Sequence, residues 1–410
     1  MRPELEYLRA EPVEGHNAQL TSLVAVSTAG PGSAQLRTVD PPDVATTLAA
    51  ALHGGPPIAP LPTDPIERTR AITMLQPHQP VVEADAAVVV ATSGSTGAPK
   101  GVVISRAAIR ASVEATHTRL GGPGDWVLAL PPCYIAGLMV LARACVGGTR
   151  AVPVRSDLND LPAVACDLAE RRFISIVPAQ LDRALQRGEV TAALAGFSTV
   201  LVGGGPTDAN LLDRALASGI KVVTTYGMSE TCGGCIYDGK PLPGVAVDLS
   251  DDGQILIKSS ALFAGYRLRP DLTAEVLIDG RFHTRDRGRW DAGRLVVLGR
   301  LDDVVITGGH KVDLADVERA VQRWAAQQQA HAAALGIPDP VWGTTILAVS
   351  ESPGSLEDLQ SAVRQWLPAY AVPRELIFLD QLPWLPNGKP DRVAIRSMIV
   401  NLRAERQATG

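Results

Sequence analysis

The chain has 410 residues, 46% of them hydrophobic, with 38 Lys plus Arg against 43 Asp plus Glu and a net charge of −5. That length and apolar content suffice for a large buried core and predict two domains. A mildly acidic chain without a basic block argues against nucleic acid or an anionic membrane as partner and points to small molecules.

In chain order, the opening "MRPELEYLRAEPVEG" places acidic residues where an export signal needs a basic start and an apolar run. No apolar stretch reaches the length of a membrane-spanning helix. Five cysteines, an odd number, fit free thiols in a reducing cytoplasm, which is the expected location. The first eighty or so residues are rich in Ala, Pro and Gly and give weak periodicity. From Ala86 the pattern sharpens. "AAVVVATS" leads to "SRAAIRASVEATHTRL", "DWVLALPP" to "IAGLMVLARACV", "FISIVPAQ" to "LDRALQRG", and "FSTVLVGGGP" to "TDANLLDRALAS" before "KVVTTYG". This alternation predicts an α/β fold with βαβ units and a buried, largely parallel sheet, whose strand-end turns are where ligands bind. After Gly244 shorter strands, "GQILIKS" and "RLVVLGR", predict a small β-rich subdomain. The helices "LADVERAVQRWAAQQ" and "SLEDLQSAVRQWL" follow in a separate mixed segment, with the boundary expected near Leu301 to Asp303.

Several turns carry chemistry. In "VVVATSGSTGAPKGVVIS", Gly94 and Gly97 allow positive φ, and Thr92, Ser93, Ser95 and Thr96 add hydroxyls to successive backbone N–H groups, so the loop suits an anion, with Lys100 as a point charge. It is not a Walker loop: Pro99 precedes the lysine, Gly101 follows it where a magnesium-binding hydroxyl is required, and "VVIS" reads as a strand rather than a helix. "TTYGMSETCGG" follows the strand "KVV" and combines an aromatic ring at Tyr226, a hydroxyl at Ser229 and a carboxylate at Glu230, suited to a base, a phosphate and a magnesium ion respectively. "HTRDRGRW" holds Asp286, "GRLDDVVITGGHKV" holds Arg300 and Asp302, and "LPNGKPDR" holds Lys389. Each turn alone has a bland explanation as an ordinary solvated surface turn.

Together and in this order, the segments resemble the adenylate-forming superfamily of acyl-CoA and aryl-CoA synthetases, adenylation domains and luciferases, over nearly everything from Ala86 to Ile395. The resemblance implies a large N-terminal domain of layered sheets and helices, residues 1–300, and a small mobile α+β C-terminal lid, residues 303–410, hinged near Asp302. It implies that the loop Thr92, Ser93, Gly94, Ser95, Thr96, Gly97 with Lys100 embraces ATP phosphates while Glu230 holds Mg2+, that Ser229 contacts the α-phosphate, and that Lys389 bonds the attacking carboxylate. Gly204, Gly205, Tyr226 and Gly227 line the nucleotide site, and Asp286 and Arg300 reach the ribose. Tyr134, Gly137, Leu138, Met228 and the same Gly204 and Gly205 border the acyl pocket, and Gly308, Gly309 and His310 the coenzyme A channel. ATP, Mg2+ and coenzyme A are the implied cofactors and co-substrates, a small carboxylic acid the partner, and a homo-oligomer is compatible with the sequence. One departure is Thr-Arg-Asp, with Arg285, in place of the superfamily's Thr-Gly-Asp, and another is a short N-terminal region.

Within the superfamily, "YGMSETCGGCIYDG", "PPCYIAGLMVLARA" and "FISIVPAQL" resemble the actinobacterial o-succinylbenzoate-CoA ligase branch of menaquinone biosynthesis. That implies ATP-dependent ligation of o-succinylbenzoate to coenzyme A through an acyl-adenylate. Alternatives are a ligase for another aryl or acyl acid, a stand-alone adenylation enzyme serving a separate carrier protein, or a nucleotide-binding relic, which Lys389, Glu230 and Asp286 argue against. Cys232 and Cys235 form a C-x-x-C without a second such pair or paired His, so packing beside the acyl pocket is expected of them rather than zinc.

Overall fold

The computed structural model describes residues 34–92, 99–384 and 390–408, with side chains to residue 402. By contacts the chain forms two units: Met1–Val247 with Ile257–Phe282, and Asp248–Leu256 with His283–Gly410. The β-rich stretch after Gly244 is thus shared between the units.

The first unit contains two large sheets. One has seven strands in the order Lys240–Pro241, Gly233–Tyr237, Val222–Met228, Thr199–Val202, Arg172–Ile176, Asp125–Leu128 and Ala151–Pro153. The five strands from Val222–Met228 to Ala151–Pro153 are parallel, as the β/α alternation predicts, and the Gly233–Tyr237 strand turns back antiparallel. Successive residues of the parallel strands enter different cores: Trp126, Phe173 and Leu201 face one hydrophobic cluster, Val127, Ile174 and Val200 the other. Burial on both faces explains why these strands read as continuous apolar runs.

The second sheet joins Gly265–Tyr266, Lys100–Ser105, Ala86–Thr92, Ile58–Pro60 and Arg37–Val39. Here the expectation needs correcting: Ala86–Thr92 does not lead by a helix into the parallel sheet. It pairs antiparallel with Lys100–Ser105, Thr92 opposite Lys100, before the helix Arg106–Leu120 begins. Ser105 caps that helix by accepting from the Ala108 N–H at 3.0 Å, and Gly121, at φ 81°, ends it. The N-terminal stretch with little periodicity supplies the short strands Arg37–Val39 and Ile58–Pro60 and the helices Val44–Leu52 and Pro65–Leu75. No helix among the described residues is long and apolar enough to cross a membrane.

The second unit resumes at His283 within the hairpin Arg281–Asp291 with Arg294–Arg300, which precedes a five-stranded sheet built on the pair Ala332–Asp339 and Gly343–Ser350. Alternate residues of that pair divide between two cores. Ala332, Ala334, Ile346 and Ala348 meet the helices Leu314–Ala326 and Leu356–Arg364, while Ala333, Leu335, Leu347 and Val349 meet Ile395 and Ile399 of the last helix. The period of two leaves a helix for each face of the sheet.

Candidate active site

In the first unit the site grows from strand ends. Thr199–Val202 and Val222–Met228 run parallel as neighbours, so the glycine turn after the one and the turn Ser229–Thr231 after the other emerge side by side. Gly204 takes φ 83°, which favours glycine. The Val222–Met228 strand and its partner Gly233–Tyr237 shift register between Tyr226 and Gly227, and a Cβ on Gly227 would lie 2.0 Å from the Gly233 carbonyl oxygen. The two backbones therefore touch just before Ser229 and Glu230. Thr231, 1% exposed, closes the turn: its hydroxyl accepts from the Met228 N–H at 2.9 Å and donates to the Gly233 carbonyl at 2.8 Å.

Glu230 and Lys100 are brought together by a residue the sequence reading missed. The Tyr266 hydroxyl donates to Glu230 Oε1 at 2.8 Å, and Lys100 Nζ lies 4.7 Å from the centroid of the same ring. The Gly265–Tyr266 strand pairs with Val102 and Val103, which places the ring next to the strand that Lys100 begins. The glycine after Lys100 has its reason here too. A Cβ on Gly101 would come within 3.0 Å of the Arg267 side chain and 3.2 Å of Val89, while the Gly101 carbonyl accepts from the Arg267 N–H at 2.7 Å. Arg267 is itself 3% exposed and donates to the carbonyls of Leu75, Gln76, Gln79 and Pro80.

Tyr134 precedes the helix Ile135–Gly147 and donates its hydroxyl to Glu67 Oε2 at 3.0 Å. Burial, with Cys133 and Glu67 nearby, pushes that phenol upward. Gly137 is pressed against the preceding turn, where a Cβ would lie 2.4 Å from the Pro131 carbonyl oxygen, and Leu138 is fully buried in the core. Met228 is half-buried. Cys232 and Cys235 are buried free thiols, each pushed up to about 12 by burial, which keeps them protonated. Of the phosphate loop, Thr92 and Lys100 are described, and the Thr92 hydroxyl donates to the Lys100 carbonyl at 3.3 Å. Ser93, Gly94, Ser95, Thr96 and Gly97, like Lys389, lie outside the described residues.

In the second unit, Asp286 stands opposite Arg300 in the hairpin, carboxylate to guanidinium 3.7 Å. The buried Thr284 hydroxyl accepts from the Asp286 N–H at 3.1 Å, fixing the backbone of that residue. Arg300 also reaches Asp302 at 3.1 Å, and Arg285, the departure from the usual glycine, reaches the same Asp302 oxygen at 3.3 Å. Burial opposes ionisation of Asp302, but Arg300 and Arg285 outweigh it and hold the carboxyl below the usual range. Gly308 and Gly309, at φ 55° and 81°, make the hairpin turn before His310, whose ring stacks on Tyr370 at 4.2 Å.

Family comparison covers parts of both units. Residues 17–267 match the model of the AMP-binding enzyme family, and residues 316–389 match its C-terminal domain. The chain belongs to the AMP-binding enzymes. Among these enzymes it is 44% identical over 329 residues to a Mycobacterium tuberculosis (strain H37Rv) protein named "Probable 2-succinylbenzoate--CoA ligase", covering 77% of this chain and 85% of that one. It resembles the O-succinylbenzoate coenzyme A synthetase (MenE) of Bacillus subtilis in complex with ATP and magnesium ion, with 26% identity, a TM-score of 0.67 and coverage of 76% of this chain and 69% of that one. The same B. subtilis enzyme in complex with the acyl-adenylate intermediate OSB-AMP matches at 25% identity and a TM-score of 0.70, covering 86% and 80%. An adenylate-forming α/β architecture with a large N-terminal and a small C-terminal part is therefore shared by this AMP-binding enzyme.

Proposed function

We propose that this AMP-binding enzyme joins o-succinylbenzoate to coenzyme A, with ATP as the activating co-substrate and an acyl-adenylate as the intermediate, a step of menaquinone biosynthesis. The observation that carries this reading is the mycobacterial relative, 44% identical over most of both chains.

A carboxylate is a poor acyl donor because oxide would have to leave. In the first half-reaction its oxygen attacks the α-phosphorus of ATP, giving the mixed anhydride and pyrophosphate. In the second the coenzyme A sulfur attacks the acyl carbon, AMP leaves, and the thiol proton passes to solvent. Glu230 fits a divalent cation: it is an oxygen donor on a strand-end turn, oriented through one oxygen by Tyr266. Magnesium bound there supplies charge neutralisation on the triphosphate, so that two anions can meet. The chain does the rest by positioning. Lys100 and the Thr92–Gly97 loop take the phosphates, Ser229 the α-phosphate, and Tyr226 and the Gly204–Gly205 turn the base and the acyl group. Asp286 and Arg300, paired across one hairpin, present a carboxylate and a guanidinium for the ribose hydroxyls. In this reading Lys389 stabilises charge in adenylation. Torsion at Asp302 then swings residues 303–410 so that Gly308, Gly309 and His310 admit coenzyme A. A cytoplasmic location belongs to the same proposal, supported by five free cysteines.

The test is mass-spectrometric detection of the thioester from ATP, Mg2+, coenzyme A and a panel of carboxylic acids. Preference for o-succinylbenzoate with AMP and pyrophosphate as co-products is the expected result. Acyl-AMP without a thioester would overturn the coenzyme A assignment and make a separate carrier protein the acceptor.

A further inference from the structure

Two guanidiniums converge on one carboxylate just past the hairpin. Among the described residues Asp302 meets Arg300 at 3.1 Å and Arg285 at 3.3 Å, both on Oδ2. Neighbouring arginines of the hairpin go elsewhere, Arg287 to Asp313 and Arg289 to Asp291. Arg300 is divided between two acids. Its Nη1 lies 3.7 Å from Asp286, its register partner across the hairpin, while its Nη2 donates to Asp302.

That division matters because the proposed function asks two things of Arg300. It has to donate to a ribose hydroxyl beside Asp286, and it has to hold the hinge carboxylate. An arginine stays charged at every working pH, so its donors can only be shared out, never switched off. With Arg285 in place, Arg300 can turn to the nucleotide while Asp302 keeps a guanidinium. Two like charges on one oxygen also repel, which lowers the cost of that turn. Without Arg285, Arg300 is the guanidinium left to Asp302 and is drawn away from the ribose. The side chains of Asp302, Arg285 and Arg300 are 30%, 38% and 38% exposed. Water therefore screens these pairs, and the effect is a few-fold one.

We infer that Arg285 is a positioning residue for nucleotide binding: it holds the hinge carboxylate of Asp302 and so leaves Arg300 to the ribose. The inference rests on the adenylate-forming reading, in which Asp286 and Arg300 meet the ribose and Asp302 is the hinge.

The experiment measures KM for ATP and kcat in ATP–pyrophosphate exchange by the full chain, with an acid that the wild type adenylates. Arg285→Met is expected to raise KM about 3–5-fold and to leave kcat within about 2-fold. Arg285→Lys, which keeps the charge, is expected to stay within about 2-fold of wild type in both. In an Asp302→Asn background no carboxylate competes for Arg300, so adding Arg285→Met is expected to change KM by less than about 1.5-fold. An unchanged KM in Arg285→Met, a loss confined to kcat, or the same 3–5-fold rise in the Asp302→Asn background overturns the inference alone. Asp286→Asn tests the reading beneath it: an unchanged KM for ATP in that variant removes the ribose assignment and the inference with it. Should Arg285→Met fail to fold, Arg285→Gln, which also removes the charge, is read by the same outcomes.

Discussion

Tyr266→Phe removes one oxygen from the proposed active site and little else. The ring keeps its packing 4.9 Å from Phe263 and its place beneath the Lys100 ammonium. What goes is the 2.8 Å hydrogen bond to Glu230 Oε1. A hydrogen bond to a charged group is worth about 1.5–3 kcal/mol, and loss of a group that orients a metal ligand typically costs about 10–100-fold in metal affinity or activity. The expected outcome is a rise of about 10-fold in the Mg2+ concentration needed for half-maximal ATP–pyrophosphate exchange, with a fall of about the same size in the exchange rate. The melting temperature should drop only slightly, because a half-buried Glu230 can recover part of the bond from water. Tyr266→Leu loses the cation–π contact as well, worth about 0.5–2 kcal/mol, and should add a higher KM for ATP. An unchanged Mg2+ dependence in Tyr266→Phe would refute the role given to this hydroxyl and weaken the assignment of Glu230 as the metal ligand.

Gly227→Ala drives a methyl to within 2.0 Å of the Gly233 carbonyl oxygen, where only backbone can yield. A loss of about 3 kcal/mol or more in urea unfolding is expected, and a loss below about 1 kcal/mol would mean that the strands part easily. Arg267→Met leaves the carbonyls of Leu75, Gln76, Gln79 and Pro80 without their donor, at an expected cost of about 3–5 kcal/mol by guanidinium denaturation. Asp125 is 5% exposed; burial opposes its ionisation, but bonds from Arg150 and the Ala169 N–H hold its carboxyl below the usual range. Its stabilisation is therefore complete above the unfolded value of about 3.9 and fades as pH falls through the folded value. The stability difference between wild type and Asp125→Asn, followed from pH 6 downward, should shrink in that acid window, and a constant difference would contradict the ionised pair.

Much of this was legible in the sequence because it is local. The parallel strands and their helices show as alternating runs, and the turns "TSGSTGAPKG" and "TTYGMSETCGG" keep their chemistry within ten residues or so. What escaped depends on distant partners. Tyr266 belongs to a strand of two residues and meets Glu230 across 36 positions of chain. "FAGYRLRP" carries no period that marks it. The strands Arg37–Val39 and Ile58–Pro60 are three residues long and gain order only by joining Ala86–Thr92. The hairpin between Ala86 and Ser105 was open to misreading because a strand, a glycine loop and a helix start look alike whether the loop closes a hairpin or leads to a crossover.

The four carbonyl bonds of Arg267 bear on how this enzyme could be recombined with its relatives. One end of that stitch is the segment 75–80, and the other is the residue next to Tyr266, so two stretches nearly two hundred positions apart act as a single inherited block. A chimera with one crossover between them would bring a foreign loop to a native arginine, and the misfit would be transmitted through Tyr266 to the carboxylate of Glu230. Segment exchange aimed at new acids should therefore leave residues 75–80 and 266–267 from the same parent and confine its junctions to stretches that this stitch does not span.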